Sequence, residues 1–340
     1  MRGNGDRLRP GSARRTARRF VVWAERRWRS GAPKAAGGGA IALLAVALLA
    51  GCGLGAGPAP SGVQLLVTRD FGGQTVRSWS APQVHGQETV MSLLMRNANV
   101  STRFGGGFVQ SIGGLSGGHK AGQPIDWFYY VNGVQAPKGA ADTNVNPGDR
   151  IWWDRHDWSQ AESVPAVVGS FPQPFQSGVD GKRWPVRIEC AALSSAPCRS
   201  VTARLQALGV LAARAAVAPA QEPETLRVMV GPWSALSIAP EAAPIARGPG
   251  ASGVYVRFSA NGQSLTLLDE RGDAVRTLTN GGGLVAATRY AEEAPVWVVT
   301  GTDDAGVEAA ARTFDADDLR DHFALAVAPG GATLPVPAAG

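Results

Sequence analysis

The chain has 340 residues, 44% of them hydrophobic, with 44 glycines, 23 prolines and a formal net charge of +6. Residues 1–34 hold ten arginines and Lys34 against Asp6 and Glu25, so everything after them is net negative. The later part therefore lacks the basic excess that would hold nucleic acid, and its length leaves room for two domains of ordinary size.

The basic segment leads into Ala40–Ala50, eleven apolar residues without interruption. That run is too short for an ordinary membrane-spanning helix and suits the core of a signal peptide. It ends at Leu49-Ala50-Gly51-Cys52, and a Gly/Pro/Ala-rich stretch follows. The combination resembles the bacterial lipoprotein signal, in which the cysteine sulfur receives a diacylglyceryl chain. The resemblance implies a leader over residues 1–51, lipidation at Cys52, a flexible tether over 52–61, and a membrane partner reached through the lipid. The expected location is the outer face of the cytoplasmic membrane.

Val63 to Arg69 alternates as a strand, Gly72-Gly73-Gln74 turns, and Val76 to Ser80 returns, so the folded part is expected to open with a hairpin. Thr89 to Asn97 places Val90, Leu93 and Leu94 at helical spacing. A further strand region is expected over Phe104 to Ile112.

The stretch from Asp126 to Trp158 holds four of the ten tryptophans. Trp127 to Val131 and Ile151 to Trp153 are aromatic or β-branched throughout and read as strands, with turn-forming residues between them. Side chains alternate across a strand, so Trp127 and Tyr129 face one way and Tyr130 and Asn132 the other; Trp152, Asp154 and His156 likewise oppose Trp153. Both faces carry large rings. One of them can serve the core, and the second is then either a binding surface or is covered by a loop or the second domain. Trp127, Tyr129, Tyr130, Asn132, Trp152, Trp153 and His156 are the candidate ligand contacts, the rings to stack on a flat partner and the polar groups to orient its edges.

Hairpin, helix and further strands form the order of a β-grasp domain, and the residues from Val63 to about Phe175 resemble a known family. The opening Val-Gln-Leu-Leu-Val-Thr-Arg-Asp-Phe-Gly, the Gly-Gln-Glu-Thr-Val-Met-Ser-Leu-Leu before the helix, Asp-Trp-Phe-Tyr-Tyr-Val-Asn-Gly, and Lys138 to Asp142 leading to Pro147-Gly148-Asp149-Arg150-Ile151 carry that resemblance. The family is the domain of unknown function, DUF4430-type, related to the C-terminal domain of transcobalamin and intrinsic factor. It implies a binding module, with corrinoid (cobalamin) as the named candidate ligand and a membrane transporter as a further partner. The transcobalamin helical barrel, which supplies most of that protein's pocket, has no counterpart here. No resident cofactor is expected.

Pro165 to Pro174 is expected to pack as an extended strap along this first domain, residues 62–178. A second, α/β domain is expected over 185–335, giving an α+β chain overall. Val186 to Cys190, Leu226 to Val230 and Pro295 to Thr300 read as its strands, and Ser200 to Leu208, Val307 to Arg312 and Asp317 to Phe323 as its helices. Cys190 and Cys198 are close in sequence and, outside the cell, are expected to pair as a disulfide.

Groups that could carry chemistry are weak. Gly114-Leu115-Ser116-Gly117-Gly118 matches G-x-S-x-G, with Asp149 and His156 following, but His119 to Pro124 cannot supply the helix a nucleophile elbow needs. Asp154, His156 and Asp157 place only two ligands on one side of a strand. The sequence therefore points to a non-catalytic envelope lipoprotein that captures a small molecule. The alternative is a structural or adhesive protein that meets a protein or a cell-wall glycan through its aromatic face.

Overall fold

The computed structural model describes residues 61–219 and 222–340; the leader, the tether and Cys52 lie outside them. The expected hairpin forms from β1 (Gln64–Arg69) and β2 (Gln74–Trp79), antiparallel with Leu65 opposite Trp79. Helix α1 (Val90–Asn97) follows. Thr89 caps it by accepting the Ser92 amide at 3.2 Å, and Val90, Leu93 and Leu94 make its buried stripe.

β3 (Val100–Arg103), β4 (Phe108–Ile112) and β5 (Leu115–Ser116) form a small separate sheet. β6 (Gly118–Lys120), the long β7 (Gln123–Val131), β8 (Val134–Gln135) and β9 (Arg150–Asp157) complete the first main sheet. Its order is β2-β1-β9-β7-β6 with β8 on β7, and β9 runs parallel to β1 and antiparallel to β7. A hairpin, one helix and a return strand parallel to the first give the β-grasp-like arrangement, and the chain as a whole is α+β.

The connector after β9 differs from the extended strap expected. Residues 169–177 are turned, and the segment is wedged between the two halves instead of lying along one. The Val167 amide donates to the Gly133 carbonyl at 2.8 Å and the Val168 amide to the Phe323 carbonyl at 3.1 Å. Phe171 lies 4.9 Å from Phe314, and Phe175 5.0 Å from Trp297, measured between ring centroids. Burying these rings offsets the entropy of fixing a proline-rich turn.

The second half begins with β10 (Val186–Cys190), α2 (Ala196–Ala207), β11 (Ala212–Ala216) and β12 (Leu226–Pro232). Short helices α3 (Trp233–Leu236) and α4 (Pro249–Ser252) precede a three-stranded meander, β13 (Val256–Phe258), β14 (Ser264–Leu268) and β15 (Ala274–Thr279). Then come β16 (Gly283–Thr288), β17 (Val296–Gly301), α5 (Asp304–Arg312), α6 (Ala316–Leu319), β18 (Ala324–Val327) and β19 (Thr333–Val336). The second main sheet is ordered β11-β10-β12-β17-β16-β18-β19; its first four strands are parallel and the rest antiparallel.

Two elements differ from expectation for local reasons. α2 starts before Ser200, because Ser195 accepts the Cys198 amide and Pro197 is preset for a first turn. The helix expected through Phe323 is only the single turn α6: Arg320 is extended and Asp321 has φ 62°, which sends the chain into β18. The Cys190–Cys198 disulfide is present, with Cα atoms 5.9 Å apart, and ties the end of β10 to the first turn of α2.

Inside the second sheet a buried arginine is balanced by two acids. Arg227 donates to both Glu189 oxygens, at 2.9 and 2.7 Å, and to Glu241 at 2.8 Å. Burial works against its charge, yet the two carboxylates outweigh it and hold the pKa above the ordinary arginine value.

Candidate functional site

Strands β7 and β9 are adjacent and antiparallel, so their rings pair across the sheet: Tyr129 lies opposite Trp153 and Tyr130 opposite Trp152. Alternation places Trp127, Tyr129 and Trp153 on the α1 side, in one hydrophobic cluster with Val90, Leu93 and Leu94. Tyr130 and Trp152 belong to the opposite cluster, with residues of the second half such as Met229 and Phe323. The face assignments thus follow from the pleat.

Of the two outcomes left to the second face, open for binding or covered, the covered one holds. Of the seven candidate contacts, Tyr129 is the most exposed, at 9% of its surface. The physical reason is that α1 covers one side and the second half covers the other, so both clusters are core. Phe323 is the plug: its ring stands edge-on to Trp152 at 5.3 Å, to Tyr130 at 5.5 Å and to His156 at 5.4 Å. Gly72 lies at this contact with φ +80°, and a β-carbon there would come within 2.0 Å of the Asp321 carbonyl oxygen.

The polar candidates are equally occupied. Asp154, fully buried, accepts the Thr68 hydroxyl at 2.5 Å, the Phe71 amide at 3.1 Å and the Gly72 amide at 2.9 Å. His156 Nδ1 lies 2.8 Å from the same carboxylate, and its ring is stacked between Phe71 and Phe128, each 4.5 Å away. Trp152 Nε1 donates to Thr68 at 2.7 Å. Asn132 donates to Asp149 at 2.8 Å and to the Gly178 carbonyl at 2.6 Å, and accepts the Arg150 amide at 2.8 Å. Burial raises the Asp149 pKa despite these bonds. On the helix side, Tyr129 donates to the Lys138 carbonyl at 2.6 Å and Trp127 to the Leu115 carbonyl at 3.1 Å.

Asp154 and His156 thus satisfy each other in the interior. Among the described residues no three His, Cys, Asp or Glu side chains gather to hold a metal ion. Ser116 lies exposed on β5, with no hydrogen bond from its hydroxyl to His156, and no helix follows it. The interior of the joint is not satisfied throughout: the hydroxyls of Tyr130 and Tyr255 and the indole N–H of Trp153 are buried without a partner among the described residues. Burial, and then the Asp154 carboxylate, raises the Tyr130 pKa well above the ordinary value.

The chemistry such a site offers is cohesion: a closed aromatic joint with one oriented carboxylate–imidazole pair. Phe71, Tyr255 and Phe323, which complete it, are absent from the sequence-derived set. Phe323 stands in a segment that reads as helix, and no local pattern links it to β9.

The first half therefore belongs to the class of small mixed-sheet modules that carry one helix on one face. Residues 87–157 match the model of a family described as a domain of unknown function, DUF4430, so this segment is a DUF4430-type domain. The match begins just before α1 and ends with β9. No curated protein and no solved structure matches the chain.

Proposed function

We propose that this is an exported, lipid-anchored envelope protein without catalytic chemistry, built to hold a DUF4430-type module firmly against a second sheet. Its partner, a protein or a cell-wall glycan, then meets surfaces outside the aromatic strands. The observation that carries this reading is the closure of both ring faces, one by α1 and the other by Phe323. Export is supported by the Cys190–Cys198 disulfide and by Leu49-Ala50-Gly51-Cys52. A corrinoid stacking on Trp152 or Tyr130 would first have to displace Phe323, so capture of cobalamin for a transporter on these rings is the less favoured reading.

The full chain, expressed in a bacterial host, is expected to partition into detergent and to become aqueous when Cys52→Ser removes the acceptor sulfur. Titration of its tryptophan fluorescence with cobalamin and cobinamide, corrected for their absorption, is expected to show no saturable quenching. Quenching that saturates and disappears in Trp152→Phe would overturn the structural reading in favour of capture. An aqueous wild-type chain would overturn the lipid anchor alone.

A further inference from the structure

The second half carries a cleft that plays no part in the joint. Strand β16 ends at Thr288, and the chain turns through Arg289 and Tyr290 towards β17. One cavity, of about 340 Å³, is lined by Arg247, Arg289, Tyr290 and Glu293. A second, of about 600 Å³, lies between the Ser159–Ser163 loop of the first half and the α4 loop. Arg289 and Ala251 line both cavities and so form part of their shared wall.

Arg289 is aimed. Its Nε donates to the Glu293 carbonyl, which fixes the plane of the group, and its terminal nitrogens make no hydrogen bond or ion pair with the described residues. Burial lowers its pKa, while the nearby Glu292 and Glu293 carboxylates act to keep it charged. A half-buried guanidinium whose terminal nitrogens have no protein partner leaves them to water, which an incoming anion can displace. Arg247 supplies a second cation on the cavity wall and has no hydrogen-bond or ion-pair partner among the described residues. Tyr290 is 71% exposed, so its ring face is accessible to a ligand. Glu241, also on this wall, is committed to Arg227 at 2.8 Å.

We propose that this cleft binds a small planar carboxylic acid. The carboxylate lies against the two terminal nitrogens of Arg289, whose fork matches its geometry, Arg247 adds a second positive contact, and the flat part of the ligand lies on Tyr290. The proximity of Glu292 and Glu293 selects a singly charged carboxylate over a doubly charged phosphate, because each added negative charge meets both acids. This site is independent of the lipid anchor and of the aromatic joint.

The test uses the full chain in detergent, with benzoate, phenyl phosphate and benzylamine as probes, followed by calorimetry and by saturation-transfer NMR at low ionic strength. Benzoate is expected to bind saturably, more tightly than phenyl phosphate, with benzylamine silent. Losing one charged hydrogen-bonding partner weakens binding by roughly tenfold or more, which is the expectation for Arg289→Gln and Arg247→Gln. Arg247→Gln and Tyr290→Ala change exposed side chains and keep the test decisive should Arg289→Gln misfold. Absence of benzoate binding at about 20 mM overturns the proposal, since that concentration lies well above the Kd expected of a charged contact with ring stacking. Equal affinity in Arg247→Gln and Tyr290→Ala, or tighter binding of phenyl phosphate, does the same.

Discussion

The two faces of the first sheet carry the same kind of residue and are closed in different ways. On one, Trp127, Tyr129 and Trp153 pack beneath α1, an element of the same domain with the regular spacing of Val90, Leu93 and Leu94. On the other, Tyr130, Trp152 and His156 are capped by Phe323, which arrives from the far end of the chain. Ring content alone therefore does not distinguish a binding surface from a docking surface. What decides is whether a second sheet brings its own apolar residues to the same place, and that is a property of the tertiary fold.

The largest effect separating the two faces is expected at Asp154. Asp154→Ala removes the common acceptor of Thr68, the Phe71 and Gly72 amides and His156, leaving several buried donors without a partner. Breaking such a buried charged cluster costs about 3–5 kcal/mol, to be read as a lowered midpoint in urea unfolding. A loss below about 1 kcal/mol would mean water reaches the network and the joint is open.

Phe323→Ala follows, with an expected loss of about 3–5 kcal/mol for a buried aromatic. Its diagnostic value lies in coupling. The Phe323→Ala, Trp152→Ala pair should show an interaction of about 0.5–1.5 kcal/mol, whereas Phe323→Ala with Leu93→Ala should be additive within about 0.5 kcal/mol. Coupling of Phe323 to Leu93 as strong as its coupling to Trp152 would erase the distinction between the faces.

These contrasts mark what was legible in the sequence. The hairpin, α1, β10, β12 and β17 are local patterns, and turn residues or apolar runs mark them directly. The alternation of β7 and β9 assigned each ring to its correct face, and the short spacing of Cys190 and Cys198 foreshadowed their bond. β16 was missed, although all six of its residues are buried, because Gly283-Leu284-Val285-Ala286-Ala287-Thr288 lacks the aromatic or alternating signature of a strand. Which of the two outcomes the second face meets was not legible, since that depends on Asp321 to Phe323 leaving a helical pattern and turning into β18.

On the helix face a smaller effect probes the same contrast. Thr89→Ala removes the oxygen that accepts the Ser92 amide and should cost about 1 kcal/mol. Because the cap serves α1 alone, the loss should be accompanied by faster amide exchange in residues 90–97 and unchanged exchange in β18. Faster exchange in β18 as well would show that α1 and the Phe323 contact open together.

The smallest effect belongs to the joint and depends on pH. His322 sits beside Phe323, and burial lowers its pKa below the ordinary 6.5, with Asp321 acting the other way. The folded protein therefore resists protonating this ring more than the unfolded chain does. Its contribution to stability is complete above about pH 6.5 and is lost as the pH falls through the lower folded value. Asp149 and Asp318, whose pKa values burial raises, act in the opposite sense and in the more acidic carboxylate range. The loss between pH 7 and about 5 should accordingly flatten in His322→Gln. An unchanged slope would mean that the ring is solvated in the folded protein, and that the distant closure of the second face is looser than the closure by α1.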